Sequence, residues 1–131
     1  MDDDVEDLLA LFNDFDVTQK ERDLPKKAWE HLKSKGFFAL IIPKKYGGKA
    51  FSAMANSAIV TKICTHSVSA AITVMVPNSL GPGELLVHYG TDQQKKKYLS
   101  KLAAGEDIPC FALTGPEAGS DAGAMQSYGH V

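Results

Sequence analysis

The alternation of apolar and polar positions predicts a chain of short helices. Val5, Leu8, Leu9, Phe12 and Phe15 fall at i, i+3, i+4, i+7 and i+10, which is one face at the helical period. Five of the first seven residues are acidic (Asp2, Asp3, Asp4, Glu6 and Asp7), as suits a helix N-terminus. After a linker, Asp23-Leu24-Pro25 opens a second helix, where proline removes no intrahelical bond because a first-turn N–H has no partner. Ala28, Trp29 and Leu32 form its inner stripe, and Gly36 stands where a left-handed cap ends it. The apolar run Phe37 to Ile42, stopped by Pro43, reads equally as a buried strand or an irregular connector. Tyr46-Gly47-Gly48 is a turn, and Ser52 caps a third helix in which Ala55, Ile59 and Ile63 recur every four residues.

The next stretch is nearly free of charge. Between Lys49 and Asp92 only Lys62 and Glu84 are charged, and Val68 to Val76 reads as a buried helix. A surface helix carries a charged face, so the stretch is either wrapped by other elements or forms a core helix of a small bundle. This feature alone favours the core helix. Asn78 to Gly83 breaks the run, and Pro82 starts a helix that ends at Gly90. Thr91 and Gln94 match a capping box. The helix they open carries Tyr98, Leu99 and Leu102 inward, shows Lys95, Lys96 and Lys97 to solvent, and stops by Gly105. Ile108 to Leu113 then reads as extended.

Composition narrows the class of protein without identifying it. The chain has 131 residues and a net charge of −2, and Arg22 is its only arginine, so a basic nucleic-acid footprint is not expected. No apolar run reaches the roughly 20 residues that span a bilayer, and the acidic start does not resemble a targeting segment. Cys64 and Cys110 are too few for a disulfide scaffold. Cys64 and His66, two apart on a helix, do not face one ligand, and His31, His88 and His130 lack partners at metal-ligand spacing; no metal site is expected.

Candidate chemistry gathers at the end of the chain. Gly115, Gly119, Gly123 and Gly129 are four of the eleven glycines and lie in the last seventeen residues. Clustered glycine lets backbone N–H groups approach a ligand and form an anion-binding nest, and Thr114 and Ser120 add hydroxyls. The alternative is a solvent-exposed turn, with Glu117 and Asp121 solvated or capping. Neither a P-loop nor the G-x-G-x-x-G dinucleotide fingerprint is present. The tail has no further residues to pack against, so the chain is expected to stop within a domain.

The segment Leu113-Thr114-x-Pro116-Glu117-Ala118-Gly119-Ser120-Asp121 resembles the flavin-contacting signature of the acyl-CoA dehydrogenases. The likeness extends upstream through Gly36 to Ser52 with its P-x-x-Y-G-G turn, Asn78-Ser79-Leu80-Gly81, and Gly90 to Leu99, in the family's order. The form L-T-G-P-E-A-G-S-D is most similar to bacterial long-chain members. The resemblance implies an all-α N-terminal helical bundle over residues 1–107. Residues 108–131 would then begin a β-domain that carries the flavin-contacting motif, with a C-terminal helical bundle to follow.

The implied activity is FAD-dependent α,β-desaturation of fatty acyl-CoA in β-oxidation. A carboxylate takes the α-proton, the β-hydrogen passes as hydride to the flavin, and an electron-transfer flavoprotein is the acceptor. By position, Phe111, Leu113 and Thr114 would touch the flavin ring. Gly119 and Ser120 would lie near the FAD pyrophosphate, Ser120 also reaching CoA. Ile72, Thr73, Val76 and Leu80 would line the acyl tunnel. The carboxylate belongs to the family's C-terminal bundle, so this chain contains no catalytic residue and is expected to be inactive alone. A homo-oligomeric parent is implied, cytoplasmic or peripheral to a bacterial inner membrane. The alternative is a noncatalytic helical module that binds an acyl chain, CoA or a protein partner. Two positions depart from the family pattern: Gly115 replaces a usual glutamate, and Ala50 replaces the glycine usual after Tyr-Gly-Gly.

Overall fold

Six α-helices and a set of single-turn elements build the fold in a computed structural model, which describes residues 1–110 and 112–130 and leaves the side chain of Leu80 undescribed. The helices are α1 (Asp2–Leu9), α2 (Lys26–Ser34), α3 (Ala53–Cys64), α4 (Val68–Met75), α5 (Pro82–Tyr89) and α6 (Asp92–Ala104). Among the described residues there is no strand, and no helix is long and apolar enough to cross a membrane.

Val5 and Leu8 of α1 are fully buried, as the helical stripe predicts. The helix ends at Leu9, however, and Phe15 is 62% exposed. The chain turns at residues 10–13 and enters a π-helical turn, Asp16–Glu21, so Phe15 leaves the face the series began on while Phe12 still packs against the main core. Polar contacts also hold α1 in place. Lys35 pairs with Asp4 at 2.8 Å, Lys62 with Glu6 at 2.8 Å, and His31 Nε2–H donates to the Asp4 carbonyl at 2.8 Å.

Helix α2 presents Ala28 and Leu32 to the main core and stops at Gly36, whose φ of +71° is the left-handed conformation glycine adopts without strain. The run Phe37 to Ile42 is a connector, with a 3₁₀ turn at Phe37–Ala39 and nearly all of its side chains buried. It joins two apolar clusters. Phe37, Phe38 and Leu40 pack with Val5, Leu8, Leu32, Ile63 and Val74, while Ala39 and Ile42 pack with Leu99, Leu102 and Ala103 of α6.

Ser52 Oγ accepts from Ala55 N–H at 3.2 Å and starts α3, whose Ile63 is fully buried. The capping box of α6 is formed: Thr91 Oγ1 accepts from Gln94 N–H at 3.2 Å, and Gln94 Oε1 accepts from Thr91 N–H at 2.8 Å. Helix α6 ends at Gly105 with φ +67°. Leu99 and Leu102 are buried as expected, but Tyr98 is 39% exposed at the lip of a cleft.

The charge-poor middle is not a core helix throughout. Ala70, Ala71 and Val74 are buried, whereas Val68, Ile72 and Met54 stand 57%, 47% and 83% exposed. On these helices the lack of charge marks an outward face that is apolar or neutral.

Candidate functional site

Helix α4 continues without a break into a π-helical turn, Val76–Leu80. Pro77 has no N–H to give to an i−4 carbonyl, and the wider i→i+5 pattern absorbs the loss. The turn is fixed by Asn78, which is fully buried. Its Nδ2 donates to the Phe37 carbonyl at 2.7 Å and to the Val74 carbonyl at 2.8 Å, and its Oδ1 accepts from Ile41 N–H at 3.3 Å. One side chain thus ties the 37–42 connector to the end of α4. Behind it, α5 begins in close contact with the turn: a Cβ at Gly81 would lie 2.1 Å from the Val76 carbonyl oxygen, and one at Gly83 would lie 2.6 Å from that of Pro77.

This framework orients the residues expected to line an acyl tunnel. Ile72 and Val76, one helical turn apart, and Thr73 beside them share the face of α4 opposite buried Ala70, Ala71 and Val74. Ile72 is largely exposed, while Thr73 and Val76 are half-buried. Thr73 Oγ1 donates back to the Ser69 carbonyl at 2.9 Å, which leaves its methyl group to represent it on that face. The side chain of Leu80 lies outside the described residues.

The expected flavin-contacting residues are placed separately. Phe111 lies outside the described residues. Leu113 is half-buried, and Thr114, Gly119 and Ser120 are exposed. The loop closes on itself: Gly115 N–H donates to the Ala118 carbonyl at 2.9 Å, Ala118 N–H returns to the Gly115 carbonyl at 3.3 Å, and Ala118 is buried beneath. Asp121 Oδ1 accepts from Gly123 N–H at 3.1 Å, so this carboxylate caps a turn as one sequence reading expects. Among the described residues, every hydrogen bond of 112–130 stays within that stretch, so no polar contact joins it to the α4 face.

The donor set of this loop fits a flavin dinucleotide. The Thr114 and Ser120 hydroxyls carry no internal hydrogen bond among the described residues, and a Cβ at Gly115 or Gly119 would meet nothing within 4 Å. Backbone and hydroxyls are therefore open to a polar ligand on one side, and the other wall of such a site is not supplied by these residues.

Outside these two regions, an apolar cleft of about 330 Å³ lies between α5 and α6, lined by Pro82, Leu86, Tyr98, Leu102, Ile108 and Pro109. Among the described residues no cluster of His, Cys, Asp or Glu has metal-binding geometry. His66 instead has its Nε2 3.3 Å from the Phe12 carbonyl, with Cys64 exposed nearby in sequence. Sequence reasoning missed the buried role of Asn78. The available signal was a lone amide in an otherwise apolar run.

Known proteins share the sequence pattern and fold of this chain. The family described as acyl-CoA dehydrogenase, N-terminal domain, covers residues 6–106. The 3-(aryl)acrylate reductase of Clostridium sporogenes is 43% identical over 111 residues, which is 84% of this chain and 29% of the relative. The caffeyl-CoA reductase-Etf complex subunit CarC of Acetobacterium woodii is 35% identical over 112 residues, 86% of this chain and 29% of that protein. Among solved structures, butyryl-CoA dehydrogenase from Megasphaera elsdenii superposes with a TM-score of 0.71 at 30% identity, covering 95% of this chain and 35% of that one. The chain thus spans 29% of the length of each of these two curated relatives. The match over residues 6–106, together with the all-helical architecture, shows that the chain belongs to the acyl-CoA dehydrogenase family, in its N-terminal helical domain.

Proposed function

We propose that this chain forms the acyl-facing N-terminal part, with the first flavin-adjacent loop, of a flavin-dependent enzyme that interconverts an acyl-CoA and its α,β-unsaturated counterpart. The observation that carries the reading is the uncharged outward face of Ile72, Thr73 and Val76, held by Asn78. Each methylene of an acyl chain packed on such a face contributes about 0.8 kcal/mol once water is excluded. The face needs no charge for that task, which accounts for the near absence of charge between Lys49 and Asp92.

Residues 1–107 would form the helical domain, and 108–131 would enter the neighbouring one. FAD, when bound, would supply the two-electron acceptor for the oxidation. Phe111, Leu113 and Thr114 would meet its ring system, Gly119 and Ser120 its pyrophosphate, and Ser120 also the CoA moiety. The chain's own contribution is to orient the acyl chain and exclude water, with hydroxyl and N–H donors offered to cofactor and thioester. It contributes no base for the α-proton and is catalytically inactive alone. The Etf complex named for CarC supports an electron-transfer flavoprotein as redox partner.

Whether the physiological direction is desaturation of a fatty acyl-CoA or reduction of an unsaturated one follows from the redox partner rather than from this domain. Butyryl-CoA dehydrogenase is named for the first direction and caffeyl-CoA reductase for the second, and the 3-(aryl)acrylate reductase is likewise named for a reduction. The alternative reading, a noncatalytic module for an acyl chain, CoA or a protein, predicts that this chain alone binds acyl-CoA at micromolar affinity and takes up no flavin.

The test is flavin content and bleaching in the full-length protein that carries this sequence. The proposal predicts copurified FAD whose visible absorbance falls on addition of acyl-CoA, and a raised KM in Val76→Asp. A full-length protein that neither retains FAD nor can be reconstituted with it would overturn the proposal.

A further inference from the structure

A second cleft opens on the other side of Thr73. It has a volume of about 350 Å³, and its walls are Val17, Thr18, Arg22, Asp23 and Leu24 from the π-helical turn and its exit, and Ser69 and Thr73 from α4. Arg22 is the only arginine in the chain. It has a φ of +56°, a conformation in which a residue with a side chain is strained by about 1 kcal/mol. Glycine or asparagine would occupy that position with less strain, so an arginine there points to a use for its guanidinium.

Asp23 lines the cleft beside Arg22, but its Oδ1 is held by two other donors, and Asp16 has its own cation. Asp16 pairs with Lys20 at 2.6 Å, and Asp23 Oδ1 accepts from Leu24 N–H at 2.7 Å and from Trp29 Nε1–H at 3.1 Å. Glu21 lines the adjoining cleft instead. Among the described residues Arg22 makes no ion pair, whereas Lys20, Lys26, Lys35 and Lys62 each do. An unpaired planar guanidinium beside a recess whose facing wall carries a serine hydroxyl is suited to a compact oxyanion, bound by two parallel N–H···O bonds.

We propose that the Arg22–Ser69–Thr73 cleft is a binding site for a carboxylate or phosphate group. Thr73 also belongs to the proposed acyl face, so a carboxylate at the far end of an acyl chain can reach the cleft while the chain lies along α4. That source of the oxyanion rests on the acyl-binding reading above, whereas the site itself does not. The phosphates of CoA are the second source.

The probes are adipoyl-CoA, hexanoyl-CoA, free CoA and inorganic phosphate, titrated into the isotopically labelled chain while the amide signals of Arg22, Ser69 and Thr73 and the Arg22 Nε–H are followed. For a terminal carboxylate, adipoyl-CoA binds about tenfold more tightly than hexanoyl-CoA. Arg22→Gln removes that difference without altering hexanoyl-CoA binding, and Arg22→Lys restores only part of it. For a phosphate, free CoA and inorganic phosphate shift the same signals, and Arg22→Gln abolishes the response. Hexanoyl-CoA leaving the α4 signals unmoved while an oxyanion still shifts Arg22 would count against the acyl reading alone. No oxyanion shifting these signals, or equal shifts in a folded Arg22→Gln chain, would overturn the site.

Discussion

Ala50 offers a clean test of the backbone argument. Its φ is +53°, in the left-handed region, and its N–H donates to the Ile42 carbonyl at 2.9 Å, so the conformation is fixed by the fold. The side chain is exposed, and replacing it removes no core contact. An L-residue in this region is strained by about 1–2 kcal/mol, because Cβ crowds the following carbonyl. Glycine relieves the strain but has a more disordered unfolded state, which offsets about 0.4–1 kcal/mol of the gain. Ala50→Gly should therefore stabilise the chain by about 0.5–1 kcal/mol, raising Tm by about 2–5 °C for a domain of this size. Thermal melting by circular dichroism, paired with urea unfolding at unchanged m-value, measures this directly. Ala50→Val should shift Tm the opposite way, since a β-branched residue tolerates positive φ least. A lowered or unchanged Tm in Ala50→Gly would refute the strain argument.

Other substitutions probe the framework and its electrostatics. Asn78→Leu leaves the Ile41 N–H and the Phe37 and Val74 carbonyls without their side-chain partner in a buried site, and should destabilise the chain by about 2–4 kcal/mol in urea unfolding. Gly83→Ala drives a methyl group to 2.6 Å from the Pro77 carbonyl oxygen and should destabilise by about 1–3 kcal/mol, with heteronuclear NMR shifts confined to the Val76–Leu80 turn and the start of α5. Thr91→Ala dismantles the capping box of α6 at a loss of about 1 kcal/mol, read as an earlier thermal transition. The hydrogen bond and charge of Lys35 hold the Asp4 carboxyl below the usual aspartate value. Its stabilisation is present above the unfolded-state pKa and is lost as pH falls through the lower folded-state value. The pair is open to solvent, so the effect is small; Asp4→Asn should lower stability slightly at neutral pH and converge with the parent chain at acid pH, which flattens the acid limb of the stability curve.

The helices with strong end signals were legible in the sequence. Pro25 and Gly36 bracket α2, Ser52 caps α3, and Thr91, Gln94 and Gly105 bracket α6, because each end is settled by residues within a few positions of it. Where long-range contacts decide, the pattern misled. Phe15 continued an apolar series arithmetically, but the chain had already turned at residues 10–13. Tyr98 kept helical period yet stands partly exposed at the edge of a cleft. Charge scarcity over Lys49 to Asp92 pointed to burial, and the structure divides that stretch into a buried face and an apolar outward face. Neither π-helical turn has a sequence signature beyond Pro77, which proline alone makes ambiguous between a break and a bulge. The departure at Ala50 was visible as a residue change, but its strained backbone required coordinates.

The most direct test of the acyl-binding face is photolabelling of the full-length protein with a diazirine-bearing fatty acyl-CoA, followed by mapping of the modified residues by mass spectrometry. Saturable labels on Ile72, Thr73 and Val76, displaced by unlabelled acyl-CoA, are the predicted result. Labels confined to the α5–α6 cleft at Leu86, Tyr98 and Leu102, with the α4 face unmodified, would contradict it.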